Sequence, residues 1–175
     1  MIRLQTPIVA ENIEGLQVGD QIEISGRIIC GRDAVLPKLV QLFRQGSPLI
    51  KTFELQGAVI FHTAVSSAGI GPTTSNKVEI EESIADLSAA GVRIHIGKGS
   101  LGAATVAALQ ANGSIFAVTP PVSALLSHRT LSHRVIAFEE EGMEALFELQ
   151  MDRLPAVVAV AHGQNLFTIR KASKS

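Results

Sequence analysis

Apolar and polar positions along this chain fall in short runs that switch between a period of two and a period of about 3.6, as strands alternating with helices require. Leu16-Gln17-Val18-Gly19-Asp20 marks a turn. Ile22, Ile24 and Ile28 then alternate within Gln21–Cys30, which predicts a strand with a bulge at Gly26. Asp33 is placed to cap the next segment, where Leu36, Leu39, Val40 and Phe43 recur at helical spacing up to Gly46, and Pro37 suits only its first turn. Residues 58–61 form a short apolar run, and a Ser/Gly-rich loop follows over 66–71. Asn76-Lys77-Val78-Glu79 has the spacing of a capping box, with Ile80, Ile84 and Leu87 as the apolar face of a helix that Gly91 stops. The pattern continues with a strand over 92–96, a small-residue helix over 101–109 and a strand over 114–118 that Pro120-Pro121 ends. Strands over 135–138 and 155–161, a helix over 142–149 between them, and an edge strand over 165–169 paired with the one before it complete the chain. The expected architecture is α/β with a mixed sheet.

Composition narrows this further. The chain has 175 residues, enough for one compact domain spanning 1–175, and its 46% hydrophobic content and positive mean hydropathy argue against disorder. With seven Phe, no Trp and no Tyr, the core must be aliphatic. A net charge of −1 excludes the general phosphate affinity of a basic nucleic-acid binder, so Arg170, Lys171 and Lys174 read as a solvated tail. No apolar run approaches the ~18 residues of a membrane span, and Met1-Ile2-Arg3-Leu4-Gln5 lacks the apolar core of a signal peptide, so the cytoplasm is the expected location. The single Cys30 makes no internal disulfide and cannot alone hold a zinc ion or an iron-sulfur cluster; it reads as a buried apolar residue at a strand end. No metal site is expected in this chain. Of the histidines, His95 lies on a buried strand, and His128 and His133 flank a polar loop. Glu139-Glu140-Glu141 reads as a solvated turn.

Two short runs carry candidate chemistry. Gly71-Pro72-Thr73-Thr74-Ser75 looks like a turn opening onto a helix, crowded with hydroxyls of which one suffices as a cap. Gly97-Lys98-Gly99-Ser100, followed by Gly102, places glycines and a cation between a strand and a helix start, where free N–H groups and the helix dipole suit a phosphate or carboxylate. The same spacing satisfies the dinucleotide fingerprint on paper, but that motif needs an acidic residue at the end of the next strand. Here that strand ends Val118-Thr119-Pro120-Pro121 and the next acid is Glu139, which argues against nucleotide binding.

These residues, with others in order, resemble the β subunit or C-terminal domain of the class I iron-sulfur hydro-lyases, the family of fumarate hydratase and L(+)-tartrate dehydratase. The likeness runs from Leu4-Gln5-Thr6-Pro7-Ile8 through Ile24-Ser25-Gly26, Gly31-Arg32-Asp33-Ala34, Gly71-Pro72-Thr73-Thr74-Ser75 and Ile96-Gly97-Lys98-Gly99. It extends to Gly142-Met143-Glu144-Ala145-Leu146 and Leu154-Pro155-Ala156-Val157-Val158. The resemblance implies a swivelling β/β/α domain that closes over an α subunit carrying a four-iron four-sulfur cluster, whose open iron acts as a Lewis acid on the departing hydroxyl. It also implies a small hydroxy-dicarboxylate substrate and a homo- or hetero-oligomer.

By the same resemblance Arg32 would clamp a substrate carboxylate, Thr73 would accept the proton, and Lys98 would bind a carboxylate or assist Thr73. Thr74, Lys77, Gly97 and Gly99 would line the substrate. A bidentate guanidinium and a point-charge ammonium suit a dianion. A threonine hydroxyl becomes a base only where nearby cations depress its pKa. The chain departs from the family pattern at several points: Leu36 replaces a histidine, Lys77 an arginine, His62 a tyrosine, and Ala161 an aspartate, while Pro121-Val122-Ser123-Ala124 replaces a Gly-Gly-Ala-Ala stretch. Two functions are therefore weighed: a hydro-lyase β subunit, and a non-catalytic relative acting as a homo-oligomeric anion-binding or scaffold domain.

Overall fold

The computed structural model describes the backbone of residues 1–66, 69–73, 77–120 and 123–174, and the side chains of 1–65, 81–120 and 125–174. Its elements in chain order are β1 (Ile2–Gln5), α1 (Ala10–Glu14), β2 (Gln21–Cys30), α2 (Leu36–Arg44), β3 (Val59–Phe61), β4 (Thr63–Ser66), β5 (Gly69–Thr73), α3 (Lys77–Ala89) and β6 (Ile94–Gly97). There follow α4 (Ala103–Asn112), β7 (Ile115–Val118), α5 (Ser123–His128), β8 (Thr130–Ala137), β9 (Leu146–Ala161), β10 (Gln164–Asn165) and α6 (Leu166–Ala172). Short 3₁₀ segments occupy Pro48–Phe53 and Glu139–Glu144.

The expected α/β architecture with a mixed sheet is found. Strands β1, β2, β3, β6 and β7 run parallel, and β9 lies antiparallel to both β7 and β2. Because β9 pairs on both sides, the path β2-β3-β6-β7-β9 closes on itself, and β4 with β5 forms a separate hairpin. Period-two alternation then sorts every strand into an inside and an outside. Ile28, Cys30, Val59, Phe61, Ile94, Ile96, Ile115 and Ala117 fill the ring. Ile29 and Ile60 face out to join Leu36, Leu39 and Leu87 beneath α2 and α3, and Phe116 packs outward with Ile84, Leu101 and Leu109. Aliphatic side chains supply nearly all of this burial, as the scarcity of aromatics requires.

The bulge lies where Gly26 suggested, but the extra residue is on the other strand. Ile24 pairs with Leu154 and Gly26 with Met151, so β9 spends one residue more than β2 across that step, and Arg153 takes up a left-handed φ of 54°. Gly26 itself has φ 104°, and a Cβ there would overlap Thr6 Oγ1. Gly26→Ala is therefore expected to cost roughly 2 kcal/mol, read as a lower urea midpoint with an unchanged slope.

Other expectations are corrected. The helix expected over 142–149 is not formed: 142–144 close the 3₁₀ segment Glu139–Glu144, and after Ala145 the chain enters β9, a 16-residue strand that also contains the expected 155–161 strand. The 165–169 edge strand shrinks to β10, which does pair with β9, and the Asn165 side chain then accepts from Phe167 N at 3.0 Å to cap α6. Asp33 does not cap α2, which starts after Val35 without a side-chain cap, although Pro37 does sit in its first turn. Within 66–71, residues 69–71 belong to β5, and Gly71-Pro72-Thr73 is paired strand rather than a turn at a helix start. The capping position expected at Asn76 lies outside the described residues. Elements β1, α1 and α5 are too short for their periodicity to register.

Candidate functional site

Three parallel strands end side by side. Cys30 of β2 pairs with Phe61 of β3, and Phe61 with Ile96 of β6. The ladder runs one residue further, with Gly31 N donating to Phe61 O at 3.1 Å and His62 N donating to Ile96 O at 2.9 Å. Arg32-Asp33, His62-Thr63 and Lys98-Gly99 therefore leave the sheet at one edge, the carboxyl ends of parallel strands where α/β proteins place ligands. Strands are spaced about 4.8 Å, so the ends of β2 and β6 are about 10 Å apart, within joint reach of an arginine and a lysine side chain. Thr73 stands opposite Thr63 in the β4–β5 hairpin, which brings its backbone to the same edge. Thr74 lies outside the described residues, as do the side chains of Thr73 and Lys77.

Gly97 is the last residue of β6, and its lack of a side chain is a packing requirement: a Cβ there would press on the Phe116 ring at 3.3 Å. Lys98 and Gly99 follow in an exposed turn, Gly99 with φ 87°. The helix start beyond them differs from expectation. α4 begins at Ala103, two residues late, and Gly102 N donates to a carboxylate oxygen of Glu81 from α3. An internal anion thus already meets the N-terminus of α4, and the exposed cation of this turn is Lys98.

Arg32 carries the clearest mark of a ligand position. Its Nε is buried and has no hydrogen-bond partner among the described residues, and the nearest carboxylate oxygen, Oε1 of Glu144, forms only a 3.8 Å ion pair. Glu144 belongs to the 3₁₀ segment that also sends Glu140 and Glu141 to Lys38 of α2, so the run expected as a solvated turn is tied to that helix by ion pairs. A buried guanidinium N–H left without an acceptor is costly, and a ligand carboxylate would satisfy it.

The other polar group inside this edge is a chain of three residues. Ser88 Oγ lies 2.9 Å from His95 Nε2, and His95 Nδ1 lies 3.2 Å from His62 Nε2. All three are buried, and Ser88 belongs to α3 itself. Burial pushes His62 down to about 4, against a smaller opposing effect of Asp33, and His95 well below the ordinary histidine range by burial and the neighbouring imidazole. Both rings are neutral at pH 7. His95 is thus structural, as its strand position suggested, whereas its coupling to His62, and the placing of Glu81 and Glu144, had no local signal in the sequence.

The fumarase C-terminus family model matches residues 1–169. The chain belongs to the fumarase C-terminus family. It is 29% identical to the L(+)-tartrate dehydratase subunit beta of Escherichia coli K12 over 96% of this chain and 87% of that protein. It is 30% identical to a protein of Geobacillus stearothermophilus provisionally named fumarate hydratase class I, over 95% of this chain but 33% of that longer protein. A protein of Methanocaldococcus jannaschii, provisionally named L(+)-tartrate dehydratase subunit beta, is 25% identical over 91% of this chain and 88% of its own length.

Within this family member, Cys30 is the one cysteine and lies inside the ring, where burial raises its thiol pKa and keeps it protonated. A cluster takes about three or four cysteine thiolates, so one enclosed cysteine does not hold one. Among the described residues no three His, Cys, Asp or Glu side chains gather into a metal-binding group. No helix among the described residues is long and apolar enough to cross a membrane.

Proposed function

We propose that this chain, folded as one domain over 1–175, is the β-type half of a hydro-lyase that removes water reversibly from a small hydroxy-dicarboxylate. The observation that carries the reading is Arg32, in a chain matched over residues 1–169 by the family: its Nε is buried and lacks a hydrogen-bond partner among the described residues, at a strand edge it shares with Lys98. The substrate class is drawn from the relatives named tartrate dehydratase and fumarate hydratase.

In this reading Arg32 exchanges its long contact with Glu144 for a substrate carboxylate. Lys98 provides a second positive charge at the other side of the edge, and Lys77 a third, while the Gly97–Gly99 turn lets the backbone approach the acid closely. Thr73 first gives its hydroxyl proton to solvent, the alkoxide being stabilised by these cations, and as the alkoxide it accepts the proton from the carbon next to a carboxylate; Thr74 hydrogen-bonds the same substrate. The four-iron four-sulfur cluster of the resemblance is assigned to an α-type partner, since Cys30 alone does not hold one, and the domain swivels to close over that partner. The enzyme is then a hetero-oligomer, and its cytoplasmic location follows the sequence expectation.

A second reading keeps the fold without the reaction. It is favoured by the internal carboxylates, Glu81 on Gly102 and Glu144 near Arg32, which occupy places a substrate anion would take. Anaerobic reconstitution with a cluster-bearing α-type protein separates the two. The first reading expects complex formation and water loss from L-malate or L(+)-tartrate; a chain that binds no such partner and promotes no water loss is the non-catalytic relative.

A further inference from the structure

His62 differs from the other polar residues of the edge in being fully enclosed while keeping one ring nitrogen without a partner among the described residues. Its Nδ1 is buried and has no hydrogen-bond partner among the described residues. On β3 the inward positions are Val59 and Phe61, so His62, like Ile60, faces outward beneath α3. Its neighbour His95 stands opposite Ile60, further from the carboxyl edge. The two nitrogens of an imidazole point to nearly opposite sides of the ring. With Nε2 directed back at His95, Nδ1 is directed toward the edge, where Asp33 is the charge that acts on it.

The hydrogen-bond chain also sets which proton this nitrogen carries. Ser88 is buried, and among the described residues its hydroxyl lies 2.9 Å from His95 Nε2, a contact in which either group can donate; we take the hydroxyl as the donor. A serine that donates there leaves His95 Nδ1 protonated, and His95 Nδ1–H then donates to His62 Nε2. A neutral His62 whose Nε2 accepts must hold its one proton on Nδ1. The result is an uncharged N–H donor, fixed in tautomer by two residues behind it, at the edge shared by Arg32 and Lys98.

We propose that His62 is a further substrate-binding residue of this site, its Nδ1–H donating to a carboxylate oxygen of the bound acid, with His95 and Ser88 as positioning residues. The inference rests on the hydro-lyase reading. It adds to the cations a neutral donor, which orients a carboxylate without adding charge and stays constant across the neutral range.

The test uses the full chain in complex with its α-type partner, with L(+)-tartrate and L-malate as probes. Nitrogen-15 spectra of the histidines are expected to show His62 protonated at Nδ1 and bare at Nε2, and the Nδ1 proton to move downfield when an acid is added. His62→Phe should weaken binding of the acid by about 10- to 100-fold, as loss of a hydrogen bond to a charged group does. His62→Asn, whose amide nitrogen can stand where Nδ1 stood, should recover more of it than His62→Gln. Ser88→Ala should mix the tautomers in the spectrum and raise KM with little change in kcat. Binding to wild type that His62→Phe leaves unchanged, or a His62 protonated at Nε2, overturns the inference and leaves the hydro-lyase reading standing. A wild-type complex that binds and dehydrates neither acid removes that reading, and the inference with it.

Discussion

Lys98→Ala is expected to lower the turnover of a hydroxy-dicarboxylate by the reconstituted complex about 10²- to 10³-fold, the size typical of losing one group that stabilises developing charge. Lys98 lies in the exposed turn after β6, where it fills no core space, so its removal should leave the urea midpoint of the free chain nearly unchanged. That separation makes the result interpretable: a loss of rate without a loss of stability belongs to the chemistry. Lys98→Arg keeps the charge but changes its shape, and should restore part of the rate. Equal turnover in wild type and Lys98→Ala would remove Lys98 from the site, and with it the proposal that the β6 turn faces substrate.

The second large effect is on stability. His62 has a folded-state pKa of about 4 against an ordinary 6.5, so between those values the unfolded chain binds the proton and the folded chain does not. The contribution is therefore fully present above pH 6.5 and is lost as pH falls through 4; the difference amounts to about 3 kcal/mol from this one imidazole. His95 acts in the same direction, because protonating it would charge a buried ring beside His62. Urea midpoints taken from pH 7.5 down to 4.5 should fall steadily, and His62→Phe should flatten the curve over this range. Asp33 opposes the trend only weakly, and Ser88 is uncharged. A midpoint independent of pH above 4.5 would show that the unfolded chain does not take up these protons ahead of the folded one.

The same two histidines illustrate how unevenly the site was legible. Arg32, Lys98 and the Gly97–Gly99 turn could be picked out because each follows an apolar run, and a residue just past a strand reaches the sheet edge whichever way the strands are ordered. His62 stood out only through the resemblance, since no cation or glycine turn accompanies it after its apolar run. What gives it a role is His95, 33 positions away, and a contact over that distance has no local periodicity. Glu81 at the start of α4 and Glu144 beside Arg32 were equally silent, because on their own segments they look like ordinary solvated acids.

For the fold, pattern reading located β2 by alternation and β3, β6 and β7 as short apolar runs bounded by turn residues, each within two residues of its observed ends. It failed on β9. Leu146 packs outward and Phe147 inward, both buried. Past Met151 the inward set then shifts from odd to even positions, because the bulge at Arg153 adds a residue. A strand buried on both faces and broken in phase has no period of two to find, which is why its first part looked helical.

By itself, then, the sequence determined the alternation of strands and helices, the aliphatic core, the buried Cys30 and the cationic turns, because these depend on residue type and near-neighbour spacing. The closing of the ring through β9, the internal carboxylates and the line from Ser88 through His95 to His62 were decided only by tertiary structure. Each depends on which distant segments meet, and that is set by the whole chain packing at once.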